Sequence, residues 1–254
     1  MRWLFVHAHP DDETLSTGAI ISCLVSQGDT CLVLTTTRGE MGEAVPGSVG
    51  PGQDLTTVRQ AERARALTVL GAEDAGWLGE GPNRWRGTNA SAKAGRGESG
   101  PPGRVYADSG MSWITPVLAG PSLASGEDSL CSADLDEITA DIVASSVNHE
   151  AQALVSYDAA GGYGHPDHVR CHRATRAAAA QLGLPFFEIV DDPALATTWY
   201  EVDGLNDLLA AHRAYRTQFT TGVRGGSIFD NLAIRHVGGQ MDRVRVGAGL
   251  RLLS

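Results

Sequence analysis

The stretch Trp3-Leu4-Phe5-Val6-His7-Ala8-His9-Pro10-Asp11-Asp12-Glu13 decides how this chain is read. Large apolar residues in an unbroken run, without polar alternation, fit a strand buried on both faces, as in a parallel sheet covered by helices. The run gives way at once to imidazoles and carboxylates. In an open parallel sheet, residues just past the carboxyl ends of strands face the crevice where ligands bind. The same succession recurs downstream. Ala153–Ser156 reads as a strand, and Gly161-Gly162-Tyr163-Gly164-His165-Pro166-Asp167-His168 follows it. The two clusters can therefore meet at one crevice, offering His9, His165, His168, Asp11, Asp12 and Asp167 to a divalent metal. The competing reading is a pair of polar loops whose aspartates cap helices.

The rest of the chain is arranged around these strands. Thr14–Gln27 carries Leu15, Ala19, Ile20, Cys23 and Leu24 at helical spacing, and Gly28 stops it. Cys31–Leu34 reads as the second strand, followed by a glycine-rich loop from Arg38 to Leu55. Thr56 or Thr57 is expected to cap a helix running to Leu70 with Val58, Ala61, Leu67 and Leu70 inward, and Ala75–Leu78 to form a short strand. This β-α-β-α order implies an α/β fold with a mostly parallel sheet, helices on both faces and the active site at the carboxyl ends of the strands. From Gly79 to about Gly103, Gly, Pro, Ser, Asn and Arg dominate, and the segment reads as a long mobile loop. A single domain spanning 1–254, with a loop insertion at about 79–107, is expected. Asp134 caps an amphipathic helix bearing Leu135, Ile138, Ile142, Val143 and Val147. Pro166 fits the first turn of an alanine-rich helix reaching Leu182. Pro185–Val190 reads as a strand and Leu205–Gln218 as a helix; the segment Ile228–Val237 follows, and the last fifteen residues carry no readable pattern.

Composition narrows the partners. The chain has 254 residues, 42% of them hydrophobic, with a formal charge of −10 and 20 scattered basic residues. That argues against a nucleic-acid surface and for a small-molecule partner. Cys23, Cys31, Cys131 and Cys171 show no C-x-x-C spacing, so neither a disulfide framework nor a cysteine zinc site is expected. No apolar stretch approaches the roughly 18 residues that a membrane helix requires, and the Trp3–Val6 run is too short for a signal peptide. A reduced cytoplasm without membrane attachment is the expected location. The first strand lacks a following G-x-G-x-x-G, which argues against a dinucleotide enzyme.

His9 and Asp12 are three residues apart, so one turn can aim both at one ion. Asp11 between them faces elsewhere, placed as the carboxylate base that metal-assisted hydrolysis requires. His165 and His168 share the same spacing, and either can complete the ligand set while the other donates to a developing oxyanion. Imidazole and carboxylate donors without thiolate suit Zn²⁺ and also Fe²⁺, Mn²⁺ or Co²⁺.

The paired motifs Phe5–Glu13 and Gly161–His168 resemble those of the LmbE-like, or PIG-L, family of metal-dependent de-N-acetylases, and most of all its mycothiol branch, which acts on N-acetylglucosaminyl-inositol. Gly39-Glu40-Met41-Gly42-Glu43, Arg59-x-x-Glu62 and Asp108-Ser109-Gly110-Met111 are similar to further segments of that branch. The resemblance implies a Rossmann-like fold and one divalent metal, Zn²⁺ before Fe²⁺, held by His9, Asp12 and His168. It implies Asp11 as general base and His165 as the histidine that stabilises the tetrahedral intermediate. Tyr163 would polarise the acetyl carbonyl, and Asp167 would orient the active-site histidine. Arg59, Asp108, Glu43 and Ser16 would contact substrate. The implied reaction removes acetyl from a small N-acetylglucosaminide. Mycothiol S-conjugate amidase, or deacetylase of a natural-product glycoside, is the alternative, and a non-catalytic metal- or sugar-binding module is the reading from another class. The stretch from about Gly87 to Ala107 departs from the branch and bears on the substrate rim.

Outside the motifs, plainer readings prevail. His7 is expected to pack beneath the site and Glu13 to support the turn. His172 is expected to be solvated, and His149, His212 and His236 to lie at the surface. Arg59, taken by itself, reads as a solvated helix residue.

Overall fold

The computed structural model describes residues 1–86, 103–115, 118–122, 125–222 and 232–253. Most of the expected 79–107 insertion lies outside these residues, as does the start of the 228–237 segment. β1 (Arg2–His7), β2 (Thr30–Thr35), β3 (Glu73–Trp77), β6 (Ala153–Ser156), β7 (Phe186–Val190), β8 (Thr198–Glu201) and β12 (Gly247–Leu253) form a seven-stranded sheet. Its order is β3-β2-β1-β6-β7-β12-β8. The five strands from β3 to β7 are parallel, and β12 runs antiparallel to both its neighbours. The unread C-terminal residues thus include a strand of this sheet, β12. β4 (Met111–Thr115) and β5 (Leu118–Pro121) make a separate hairpin, and β9 (Phe219–Thr221), β10 (Ala233–His236) and β11 (Met241–Arg243) a small antiparallel sheet.

From β1 the chain steps to β2 and β3 in one direction, and from β6 to β7 in the other. Right-handed crossovers then place the intervening helices on opposite faces. One group comprises α1 (Asp12–Ser26), α2 (Leu55–Leu70) and α5 (Asn206–Ala214), packed on one another; the other comprises α3 (Leu135–Asn148) and α4 (Pro166–Leu182). The order reverses between β1 and β6, which pair in register Trp3↔Ala153 to Phe5↔Val155. Their carboxyl ends are therefore adjacent, at the switch point where such sheets bind ligands. Leu4, Phe5, Val6, Leu154 and Val155 are completely buried, as the unbroken apolar runs require.

Several local expectations need correction. Asp54, not Thr56 or Thr57, caps α2, its carboxylate accepting from the Thr57 amide at 2.9 Å. The inward face of α2 is Arg59, Glu62, Arg63, Ala66, Leu67 and Leu70, while Ala61 is exposed. Arg63 can be buried there because its guanidinium is fully engaged: it donates to Thr35 Oγ1 at 2.7 Å and to the Val33 carbonyl at 2.9 Å, and pairs with Asp74 at 2.8 Å. Val147 points to solvent, and α5 ends at Ala214.

Candidate metal centre and active site

β1 delivers the His7–Glu13 turn and β6 delivers the Tyr157–His165 loop, both to the switch point. Asp11 occupies the N-cap position of α1, yet its side chain makes no capping hydrogen bond. Its backbone is left-handed, with φ 106° and ψ −26°, a conformation costing of the order of 1–3 kcal/mol for a residue with a Cβ. The helix-capping reading of the first motif therefore fails: the carboxylate is held away from the helix end. Burial, with Asp12 and Glu13 alongside, raises the Asp11 pKa well above the usual carboxylate range.

Asp12 lies between two imidazoles. One carboxylate oxygen is 3.3 Å from His9 Nδ1 and 3.4 Å from His168 Nε2, and it also accepts from the His9 amide at 2.9 Å. Burial opposes its charge, but His168 and His9 outweigh that and hold Asp12 well below the usual carboxylate range. His9 Nε2 faces two more carboxylates, Asp167 at 3.2 Å and Asp108 at 3.5 Å. Burial disfavours charge on His9, yet Asp108, Asp12 and Asp167 together raise its pKa well above the ordinary histidine value. The pocket is built to hold positive charge.

His165 caps α4, and its Nδ1 accepts from the Asp167 amide at 3.2 Å. The neutral ring then carries its proton on Nε2, leaving an N–H to donate. Burial, then the neighbouring His9 and His168, pushes its pKa down to about 3, so it stays neutral. The resting ring is thus a hydrogen-bond donor rather than a lone-pair ligand or an acid. His168 is the opposite case: its Nε2 is buried and makes no aligned hydrogen bond, its polar neighbour being the Asp12 carboxylate at 3.4 Å. An orphaned imidazole nitrogen costs free energy unless something accepts its lone pair. His9, His165 and His168 present nitrogens within 4.8 Å of one another, and His9, Asp108 and Asp167 form a second such group. The donor set fits a divalent metal, and the hydrogen-bond pattern favours His168 over His165 as the imidazole that completes it. Gly161, with φ 70°, keeps the loop tight beneath this point, where a Cβ would stand 3.0 Å from that of His168.

The Asp167 carboxylate is fixed by Ser109, whose amide and hydroxyl donate at 3.0 and 2.5 Å, and by the Cys131 thiol at 3.2 Å. It faces His9, so the histidine it orients is His9, whereas its backbone amide serves His165. Tyr163 is 42% exposed, its ring edge-on to that of His168 at 5.2 Å, at the open side of the site. Asp108 is buried and accepts from the amides of Gly110 at 2.7 Å and Met41 at 3.3 Å.

The other expected substrate contacts are placed differently. Arg59 is 3% exposed, not solvated, and its guanidinium donates to the Gly39 carbonyl and, at 3.0 Å, to that of Glu43. It braces the Gly39–Glu43 turn from inside; a Cβ on Gly42 would sit 2.7 Å from that guanidinium. Glu43 contributes its carbonyl there, while its side chain is exposed. Ser16 is half-buried one turn into α1 and, among the described residues, makes no side-chain hydrogen bond to this cluster. His7 packs beneath the site, bonded to Thr17 Oγ1 at 3.0 Å, with burial lowering its pKa to about 4. His172 and His212 are buried, not surface residues. His172 lies 2.9 Å from the Tyr157 carbonyl. Tyr157 is the main residue that motif reading misses, although its position immediately after β6 is a signal of the kind that singled out His9.

Fold and site together define an α/β protein with a metal-capable, carboxylate-rich centre at the switch point of a mostly parallel sheet. The family model described as GlcNAc-PI de-N-acetylase, PIG-L, matches residues 4–179, and the chain belongs to that family. It is 38% identical over 180 residues to a 1D-myo-inositol 2-acetamido-2-deoxy-alpha-D-glucopyranoside deacetylase of Kineococcus radiotolerans, covering 68% of this chain and 43% of the relative. A relative from Frankia casuarinae, named deacetylase 2 for the same glycoside, is 40% identical over 192 residues, covering 73% and 52%. The chain thus spans about half the length of these curated relatives. Among solved structures, the N,N'-diacetylchitobiose deacetylase of Pyrococcus horikoshii shares the fold, with a TM-score of 0.53, 17% identity and coverage of 99% and 83%.

Proposed function

We propose that this chain is a divalent-metal-dependent de-N-acetylase that hydrolyses N-acetylglucosaminyl-inositol to acetate and the free amine. The observation that carries the reading is the pairing of Asp11, held out of the helix cap, with the orphaned Nε2 of His168. His9, Asp12 and His168 would hold the ion, Zn²⁺ before Fe²⁺. When bound, the metal supplies Lewis acidity and lowers the pKa of water toward neutrality. Asp11 removes a proton from the attacking water as its oxygen bonds to the acetyl carbon. His165 donates its Nε2 proton in a hydrogen bond to the carbonyl oxygen as negative charge develops there, and Tyr163 closes from the open side. The C–N bond breaks, and Asp11 returns the proton to the departing nitrogen. Asp167, clamped by Ser109 and Cys131, keeps His9 in orientation. Asp108 is the candidate contact for sugar hydroxyls, and Arg59 shapes the turn that presents Met41 and Glu43 to them.

A soluble small-molecule enzyme of the cytoplasm fits the four free thiols, and no helix among the described residues is long and apolar enough to cross a membrane. A bulkier aglycone is the second reading, favoured by exposed apolar side chains at the rim, namely Met41, Met111, Ile114 and Tyr163. Amine release from N-acetylglucosaminyl-inositol, free N-acetylglucosamine, mycothiol conjugates and aryl N-acetylglucosaminides by zinc-reconstituted protein tests both. Fastest turnover of the inositol glycoside supports the first reading, preference for the aryl compounds the second. No amine from any of them overturns the deacetylase assignment.

A further inference from the structure

Asp11 is one of two non-glycine residues with positive φ among the described residues, and a strained backbone persists only where its surroundings over-determine it. The restraints on it come from far along the chain. The Asp11 amide donates to Glu13 Oε2 at 3.2 Å, and the other oxygen of that buried carboxylate accepts from the Tyr215 hydroxyl at 2.6 Å. One residue before Asp11, the Pro10 carbonyl accepts from the side-chain amide of Gln218. Between these two contacts, Thr217 anchors the segment to α2, its amide and hydroxyl donating to Glu62 at 3.0 and 2.5 Å. The Thr217 carbonyl accepts from the Val45 amide at 2.8 Å. Tyr215 is completely buried. Thus the α5–β9 connection grips the metal-binding turn on both sides of Asp11.

We infer that Tyr215 and Gln218 are positioning residues for the Asp11 carboxylate, so that a segment beyond the family-matched residues 4–179 completes the site. Neither residue reaches the reacting atoms; each acts on the turn that aims the base. The inference builds on the deacetylase reading for its kinetic consequence but not for its structural one. Tyr215→Phe removes only the hydroxyl, and Gln218→Leu removes the amide at similar volume. Each is expected to lower kcat on the zinc-loaded enzyme's best N-acetylglucosaminide roughly ten- to hundredfold, since displacements of about 1 Å cost that much. KM and bound zinc should stay within about twofold. Hydrogen exchange of a peptide covering residues 8–14 should become roughly tenfold faster, with β2 and β7 peptides unchanged.

Unchanged kcat together with unchanged exchange in the turn overturns the inference. So does faster exchange throughout the chain, which would make the segment a general fold support. If Tyr215→Phe does not fold, Gln218→Leu decides by the same measurements. If the parent hydrolyses none of the substrates, the deacetylase reading fails while the exchange comparison still settles the clamp.

Discussion

Tyr157 lies flat on His168, ring centroids 3.9 Å apart and planes 7° from parallel, while its hydroxyl donates to Asp12 at 2.7 Å. That hydroxyl also accepts from the Ala8 amide at 2.8 Å, so one buried side chain fixes two of the proposed ligands relative to β1. Outer partners of this kind typically contribute 10- to 100-fold to metal affinity. Tyr157→Phe keeps the stacking and loses the hydroxyl, so zinc affinity should fall within roughly that range. A chelator competition titration measures it; parent-like affinity would show that Asp12 needs no such support.

Asp11 sets function against stability. Asp11→Asn should retain zinc and lose roughly 10²–10⁴-fold in kcat, the usual worth of a general base. Asp11→Gly should be as inactive but more stable. The left-handed backbone costs about 1–3 kcal/mol with a Cβ present, against about 0.5–1 kcal/mol for the extra chain entropy of glycine. Relief of repulsion from Asp12 and Glu13 adds to the gain. A net stabilisation of about 1 kcal/mol is expected, read as a higher midpoint in urea unfolding. A destabilised glycine variant would mean that the turn is not strained in solution.

How far the sequence speaks depends on whether a residue's role is local. β1 and β6 were legible because strands buried on both faces must be apolar throughout, and Pro166 marked the start of α4 because its missing N–H costs nothing there. The inner face of α2 was not: Arg59, Glu62 and Arg63 are buried only because the Gly39–Glu43 turn, Thr217 and β2 accept or donate to them. β12 is silent in the sequence for another reason. Gly247 and Gly249 lack strand propensity, yet a Cβ on Gly247 would meet the Trp199 ring at 3.0 Å and one on Gly249 the Ala196 Cβ at 2.6 Å. In the site, the strand-end rule and the motifs brought together His9, Asp12, His165, Asp167 and His168. Tyr215 and Gln218 had no local signature, because their partners lie about 200 residues away.

His212 should make the fold acid-sensitive. It is buried in α5, its Nδ1 lies 2.7 Å from the Leu208 carbonyl, and its Nε2 has no hydrogen-bond partner. Burial lowers its pKa, although the Leu208 carbonyl and Asp242 pull the other way and His236 adds to the fall. The folded value thus lies below the ordinary 6.5. The unfolded chain takes up the proton first, so this contribution is full above pH ~6.5 and is lost as pH falls toward the folded value. Urea unfolding between about pH 5 and 7.5 should show stability declining with acidity, by at most about 1.4 kcal/mol per pH unit from this group. His212→Leu should flatten that decline; an unchanged slope would assign it to other groups, such as His7.

Arg59 should matter first through the turn it braces. Its buried guanidinium donates to two carbonyls of the Gly39–Glu43 loop; burial lowers its pKa, and the nearby charges of Asp11 and Asp108 only partly oppose that. Lysine cannot reproduce the fork, because its ammonium is a single compact donor group at the end of a flexible stem. Arg59→Lys should therefore behave more like Arg59→Ala than a charge argument suggests. Each lost bond to a charged donor is worth about 1.5–3 kcal/mol, and partial rehydration of an open turn returns some of it. A net loss of about 2–3 kcal/mol is expected for either variant, a drop of roughly 4–12 °C in Tm for a chain of this size. Met41 and Asp108 are joined through the same turn, the Met41 amide donating to that carboxylate at 3.3 Å, so loosening it should raise KM for the inositol glycoside more than for free N-acetylglucosamine. The two effects separate the roles. A parent-like Tm with raised KM would make Arg59 a direct substrate contact, whereas a lowered Tm with KM raised equally for both substrates would confine it to holding the turn.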